Sequence, residues 1–490
     1  MFRIRLLAIV LLAASLAACG SSPPELSPGT AAPAAATPTP TPLPSPTPKP
    51  TPEPVGRFAH YRLSLSLEPD GRLVGNEAVT FPNHTGGALT EIVFRLYPNL
   101  AHYEGHMEVG PVTIDGRPAT TALRAEDTAL AVALPEPLMA ERSVEIELSF
   151  EVTIPHKEEG YVLFGYSQGI WSVPGGYALL AVHDGQRWHE DVAPGHGDAI
   201  FAEAALYDVS LALPQNLTLV ATGSLISQQD ADGRRIYNIA GGPLREFAWL
   251  ASADYKVSQT TAYGKVLRSY YLPGDEAAGQ ATLNIAAAAL RAYQDAFGPY
   301  PYDDMIVAEA PLLHYGMEFP GLSAIGVDLY RAQRAQLEDR VVHEIAHQWW
   351  YAQVGNDQVN TPWLDEGLAE YSMAIYYEQI FGQAQANTLV NQRWLVPYQV
   401  AVENDYDAVV NQPSAAFSWE YEVIVYAKAA LFFHALHQEL GDEDFRAVLQ
   451  GYAEQYRWAV ATPDDFLQVV ESISGRSVDE LYSRWILTSQ

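Results

Sequence analysis

Polar and apolar residues alternate with period two over residues 61–67, and again over 143–152 and 206–213. A strand with one buried face produces this pattern, because successive side chains point to opposite sides of the sheet. Asp70-Gly71 supplies a hairpin turn, and residues 73–81 read as the returning strand. Residues 247–255 form a late strand in the same series. The stretch 57–262 therefore predicts an antiparallel β-sandwich domain. After about Gly264 the period changes. Residues 266–272 read as a strand, 276–297 carry Ala, Leu and Ile at helical spacing, and Gly298-Pro299-Tyr300-Pro301 breaks that helix. A strand at 305–308 follows, then helices from about 333 to 351 and 362 to 380. Four more are predicted at 423–437, 444–456, 463–472 and 478–487. The fold class is multidomain α+β, with residues 263–490 forming a mixed α/β and then α-helical second domain.

The start of the chain follows neither pattern. Arg3 and Arg5 precede an apolar run, residues 6–18, that is too short to span a bilayer comfortably, so residues 1–18 read as a signal peptide. Leu16-Ala17-Ala18-Cys19 resembles the bacterial lipobox, which implies lipidation of Cys19 and a membrane-anchored lipoprotein at the cell surface or in the periplasm. Cys19 is the only cysteine, so no disulfide forms within one chain. From Cys19 to residue 56 Pro, Thr, Ala and Ser dominate; such a segment buries no core and reads as an extended linker. The remainder, at 48% hydrophobic and 18% charged overall, is ordinary globular protein. A formal net charge of −31 disfavours nucleic acid and anionic lipid as electrostatic partners.

The chemistry concentrates at Val342-His343-Glu344-Ile345-Ala346-His347-Gln348-Trp349-Trp350. Two histidines four apart lie on one helix face, where both imidazoles reach a single ion. Zinc in a catalytic site takes three protein ligands and keeps a fourth position open, so a third ligand is needed. Trp363-Leu364-Asp365-Glu366-Gly367 offers Glu366, on a second helix beginning near Thr361-Pro362. His343, His347 and Glu366 make a His₂Glu zinc site with one ion per chain. Glu344 projects on another radius and suits a general base. Glu370, one turn after Glu366, is a candidate to orient a zinc histidine from behind.

These residues resemble the gluzincin aminopeptidases of the aminopeptidase N and leukotriene hydrolase type, in a short bacterial lipoprotein form. Two further segments carry the resemblance. Tyr315-Gly316-Met317-Glu318-Phe319 is similar to the family's Gly-Ala-Met-Glu-Asn, which implies that Glu318 binds the substrate's free amino group and that Tyr315, Gly316 and Met317 line the cleft. Tyr426-Ala427-Lys428-Ala429-Ala430 is similar to the family's Tyr-x-Lys-Gly-Ala, which implies that the Tyr426 hydroxyl meets the developing oxyanion, with Tyr421 as a second tyrosine. The resemblance further implies a saddle-like N-terminal domain, a thermolysin-like catalytic domain and peptide substrates. In such folds a strand edge lines the cleft beside the zinc helix.

Several features depart from the family. Phe319 stands where the family has Asn, and no glutamine of the N-terminal domain aligns with the one that family members bring to the pocket. Gln168 and Gln186 are the candidates. The Gly-rich stretch around Trp188-His189 and Gly195-His196 reads as loop. The chain also ends about sixty residues after Tyr426, which implies a more open cleft than in members with a large C-terminal helical domain. A zinc aminopeptidase is the leading expectation; an endopeptidase, or a non-catalytic surface binding protein on a peptidase fold, is the alternative. Nothing in the residues speaks to oligomeric state.

Overall fold

The computed structural model describes residues 56–332 and 334–489. The predicted signal peptide, Cys19 and the Pro/Thr-rich linker lie outside the described residues. Among the described residues no helix is long and apolar enough to cross a membrane.

The alternating segments form strands as their pattern requires. Strand Ala59–Leu67 buries Tyr61, Leu63, Leu65 and Leu67, and pairs antiparallel with Arg72–Pro82 across the Asp70-Gly71 turn. Both belong to an eight-stranded sheet, which packs with two four-stranded sheets around one apolar core. One pairing departs from the antiparallel expectation, since Ala59–Leu67 runs parallel to Ala205–Pro214. Alternation fixes which face of a strand is buried and is silent about the neighbour's direction, and the long stretch between these two strands permits a parallel crossover.

A second sheet has five strands in the spatial order Lys256–Ala262, Lys265–Tyr271, Asp304–Ala310, Leu322–Gly326, Gly316–Met317. Its first strand precedes the boundary read at 262/263, because Lys256–Ala262 forms a hairpin with Lys265–Tyr271. Helix α1 (Glu276–Phe297) supplies the crossover that makes Lys265–Tyr271 and Asp304–Ala310 parallel. This sheet is buried on both faces. Ile306, Ala308 and Ala310 join the core of the β-rich half, whereas Met305 and Val307 join a second core built with the helices. A parallel sheet needs such double cover.

The helices that follow are α2 (Arg334–Ala346), α3 (Trp363–Phe381), α4 (Gln383–Leu389), α5 (Val396–Glu403), α6 (Ala429–Leu440), α7 (Asp442–Gln455), α8 (Pro463–Ser474) and the short α9 (Asp479–Tyr482). Helix α2 stops at Ala346 rather than near Tyr351; beyond it the chain turns, and the His347 carbonyl accepts from Ala352 N–H. Between α3 and Tyr406 the sequence reading assigned no element, yet α4, a π-helical turn Val390–Leu395 and α5 run there in succession. A second π-helical segment, Glu422–Lys428, leads into α6.

Arg245 ties the β-rich half to the helical half. It is 1% exposed and donates to the backbone carbonyls of Ala202 at 3.1 Å, Gln353 at 3.2 Å and Ala459 at 2.7 Å, and to that of Tyr351. Gly355 leaves room for it, since a Cβ there would lie 2.2 Å from the guanidinium carbon. Replacing Arg245 by Met leaves the Ala202 and Tyr351 carbonyls without this donor, each costing about 1–3 kcal/mol when unpaired, whereas the Gln353 and Ala459 carbonyls still accept from Trp458 N–H and Gly355 N–H. We expect Arg245→Met to destabilise the folded chain by about 3 kcal/mol, read as a lower urea midpoint at unchanged slope.

Candidate active site

Helix α2 and the start of α3 bring His343, His347 and Glu366 together, as their spacing predicts. The ligand atoms of the three lie within 4.8 Å of one another, and all three residues are buried. Helix α2 is held by Tyr293 of α1, which donates to the Val342 carbonyl at 3.0 Å, and by Tyr376 of α3, which donates to Glu338 at 2.6 Å; just past the helix, Trp350 Nε1 donates to Ser372 Oγ of α3 at 2.9 Å. His347 Nδ1 lies 2.9 Å from the Trp350 carbonyl, an acceptor, so that nitrogen carries the proton and Nε2 presents its lone pair. His343 Nε2 is 3.2 Å from His347 Nε2, and Glu366 Oε2 is 3.2 and 3.4 Å from these two nitrogens. Glu366 Oε2 is buried without a hydrogen-bond partner among the described residues. Two lone-pair nitrogens and an unpartnered carboxylate oxygen converging on one point form the donor set of a His₂Glu zinc site.

The other oxygen of Glu366 is held by Tyr426, whose hydroxyl donates to Oε1 at 2.6 Å. Burial, and then the charge of Glu366, push the Tyr426 hydroxyl well above its ordinary range, so it stays a donor. Tyr421, raised chiefly by burial, has a hydroxyl without a hydrogen bond of good geometry. It abuts Gly197, whose φ is +71°; a Cβ there would fall 2.4 Å from the tyrosine oxygen.

Glu370 is 1% exposed and faces the same site, not solvent. Its Oε1 lies 3.4 Å from His343 Nδ1. Arg393 grips it with two bonds at 2.8 and 2.5 Å, and Trp394 Nε1 adds a third at 2.7 Å. Burial alone would raise the Glu370 carboxyl, and the Arg393 charge overcomes it and holds the group well below its usual range. Arg393 and Trp394 stand on the π-helical turn that sequence reading missed. The buried run Leu389, Val390, Trp394, Tyr398 was the available signal, being close to helical spacing.

Strand Gly316–Met317 is the outer edge of the five-stranded sheet and runs beside α2. Glu344 packs close against Gly316, where a Cβ would lie 2.3 Å from Glu344 Oε1 and would make that side chain shift. Glu344 accepts from Arg340 Nη1 at 3.4 Å, and Tyr315, half-exposed, donates to Glu422 at 2.8 Å. Met317 lines the cavity. Glu318 is buried, and its Oε1 accepts from Gln358 Nε2 at 3.0 Å; that same amide donates to Asp365 Oδ2 at 2.8 Å. Burial raises the Glu318 carboxyl, His347 opposes when its ring is protonated, and the neighbouring carboxylates Glu344, Glu366 and Asp365 raise it further. Phe319 turns into the core of the β-rich half, so its departure from Asn leaves the cavity wall unchanged. Gln358 carried no periodic signal in the sequence, and only the fold shows its bracing role.

His343, Glu344, Glu366, Glu318, Tyr421 and Tyr426 line a cavity of about 870 Å³. The β-rich half contributes to its wall, through His102, Tyr103 and the loop from Gly195 to Asp198. That loop was read as plain connection. Here His196 donates to the Ser414 carbonyl at 2.9 Å and stacks edge-on with Tyr421. Gln168 and Gln186 do not line the cavity: Gln168 sits in a tight turn at φ +50°, and Gln186 lies in an exposed one.

Comparison with known proteins agrees with this geometry. Residues 281–485 match the family model described as the Peptidase family M1 domain. Aminopeptidase M1-C of Oryza sativa subsp. japonica is 23% identical over 308 residues, covering 57% of this chain and 34% of that protein. Aminopeptidase M1 of Arabidopsis thaliana is 23% identical over 397 residues, covering 75% and 44%. The chain thus spans less than half the length of these curated relatives. Among solved structures, the M1 zinc metallopeptidase of Deinococcus radiodurans superposes at a TM-score of 0.65 with 20% identity, covering 88% of this chain and 94% of that one. A mutant of the Deinococcus radiodurans enzyme bound to the substrate Tyr-Ser-Ala gives 0.64 at 19% identity, over the same shares.

Partners behind a zinc ligand typically change metal affinity by about 10–100-fold when removed. Glu370→Gln is expected to weaken zinc binding within that range, measured by competition with a chromogenic chelator, while His343→Ala is expected to reduce zinc from one per chain to none.

Proposed function

We propose that this chain, whose residues 281–485 are a Peptidase family M1 domain, is a zinc aminopeptidase that removes N-terminal residues from peptides. The observation that carries this reading is Glu318. Its carboxylate groups with His347 and Asp365 within 4.8 Å, beside the metal ligands yet outside the His₂Glu set. A buried carboxylate at that spot is a receptor for a substrate ammonium, and it sets the scissile bond one residue from the N-terminus.

Bound zinc would supply Lewis acidity toward water and the scissile carbonyl. Glu344 accepts a proton from the attacking water and returns it to the leaving amine. Gly316 and Met317, on the free strand edge, offer backbone groups to an extended substrate. Tyr421 and Tyr426, kept protonated by burial, are the candidate donors to the oxyanion; the Tyr421 proton is uncommitted among the described residues, whereas Tyr426 must turn its proton from Glu366 to serve. They differ in that Tyr426 also braces Glu366. Tyr103, Tyr161, Phe164 and Tyr421 suit a bulky first side chain, and the tripeptide bound to the Deinococcus radiodurans mutant is of this class.

We also propose that the enzyme acts outside the cytoplasm, held to a membrane by lipid on Cys19. The lipobox-like Leu16-Ala17-Ala18-Cys19 and the Pro/Thr-rich segment after it support this.

The reading is tested by incubating the zinc-loaded protein with one peptide in free and N-acetylated forms and following products by mass. Stepwise trimming of the free form alone is expected. Internal cleavage of both forms would make this an endopeptidase, and cleavage of neither would favour a non-catalytic binding protein. Glu318→Gln should lower kcat/KM on the free peptide by about 10–100-fold, as loss of a charged hydrogen bond does. A tyrosine pair separates two roles: Tyr421→Phe should reduce kcat alone, whereas Tyr426→Phe should reduce kcat and also weaken zinc retention in dialysis against chelator.

A further inference from the structure

Three lysine or arginine side chains line the cavity, and two of them are committed. Arg393 is bound twice to Glu370, and Lys157 pairs with Glu104 at 3.3 Å. Arg340 is different. Its one hydrogen bond among the described residues is the 3.4 Å contact to Glu344 Oε1, and its side chain is 19% exposed toward the cavity. The Tyr315 ring lies 5.8 Å from the guanidinium carbon and is itself anchored on Glu422. One face of the guanidinium is therefore fixed by an aromatic ring, while most of its five donors remain unused.

The position of Arg340 along α2 gives these spare donors a meaning. Glu318 groups with His347 just past the C-terminal end of the helix, and Arg340 stands seven residues earlier, on the far side of Glu344. At a rise of about 1.5 Å per residue these poles are about 10 Å apart along the axis. An extended chain covers at most about 3.3–3.6 Å per residue, so three residues span about the same length. A peptide with its ammonium on Glu318 would cross the ligand set and bring its third residue to Arg340. Asp198, Glu318, Glu344, Glu366, Glu370 and Glu422 all face this cavity and would repel a terminal carboxylate left unpaired.

We propose that Arg340 is a specificity residue, whose guanidinium receives the C-terminal carboxylate of a short peptide and gives the enzyme a preference for tripeptides with a free C-terminus. A planar guanidinium matches a carboxylate through two parallel bonds, which a lysine would not reproduce. The proposal rests on the aminopeptidase reading for the direction of the substrate. It adds a recognition element at the opposite end of the cleft from Glu318.

The test compares Ala-Ala-Ala with its C-terminal amide. The zinc-loaded protein is expected to favour the acid by about tenfold in kcat/KM, expressed in KM, and Arg340→Gln to bring that ratio to about one. Using the ratio within each enzyme cancels any effect of Arg340 on Glu344 itself. Equal ratios in both enzymes, or one common loss on acid and amide, would overturn the proposal and leave Arg340 as a positioning residue for Glu344. Calorimetric binding of the same two peptides to Glu344→Gln and Glu344→Gln/Arg340→Gln proteins reads the clamp without turnover. Tighter binding of the acid that vanishes in the double variant supports the clamp even if the aminopeptidase reading fails. Equal binding, or binding of neither peptide, overturns it.

Discussion

The structure depends on a concentration of buried negative charge that no protein cation balances. Glu318, Glu344, Asp365, Glu366 and Glu370 are each at most 4% exposed and crowd around two histidines. An ionised carboxylate taken out of water costs several kcal/mol unless it is paired. Only Glu370 has a full ionic partner, in Arg393. Neutral donors meet part of the remaining demand: Tyr426 for Glu366, Gln358 for Glu318, and Asn356 with Gln358 for Asp365. A divalent cation on the His₂Glu set would offset part of the rest. Without it the histidines respond to the same field: burial alone would lower His343 and His347, and the carboxylates around them raise both. A proton and a metal ion compete for the same negative well.

One burial thus has opposite effects on neighbouring acids. Glu366 is held far below the usual carboxyl range, because its close contact with His343 and His347 outweighs desolvation, while Glu318 is raised. The division suits the zinc site, since a metal ligand must remain ionised. Precision in this division comes from elements far apart in sequence. Gly316 admits Glu344 against a sheet edge, Gly197 admits Tyr421 against a loop of the β-rich half, and Arg245 fixes the turn that follows His347. The two halves therefore share one cavity wall.

What the sequence made legible was whatever repeats locally or binds one ion. Helix α1 appears at the residues its apolar spacing indicates, and the strands 59–67, 72–82, 143–153 and 205–214 lie where alternation puts them. His343, His347 and Glu366 were legible because one helix turn and one intervening loop constrain them. The parallel partner of Ala59–Leu67 was not, since period two carries no information on direction. Nor were Gln358, Arg340 and Asp198, single polar residues on a loop, a helix flank and a glycine turn. Their roles arise from what folding sets beside them. The π-helical turn at Val390–Leu395 was not legible in its bonding, because the spacing of Val390, Trp394 and Tyr398 is close to that of an ordinary helix.

That turn also explains how Glu370 serves the site. Four residues after Glu366 on a regular helix, Glu370 shares the face of the ligand and points at His343 from behind. A carboxylate so close to Glu366 would repel it if left bare. Arg393 and Trp394 arrive together at Glu370 because they are consecutive on a locally widened turn, which presents both side chains to one acceptor. With its charge matched by Arg393, Glu370 stands 3.4 Å behind the His343 imidazole without adding to the surplus of negative charge at the site. The irregular turn is therefore part of the electrostatics of the zinc site.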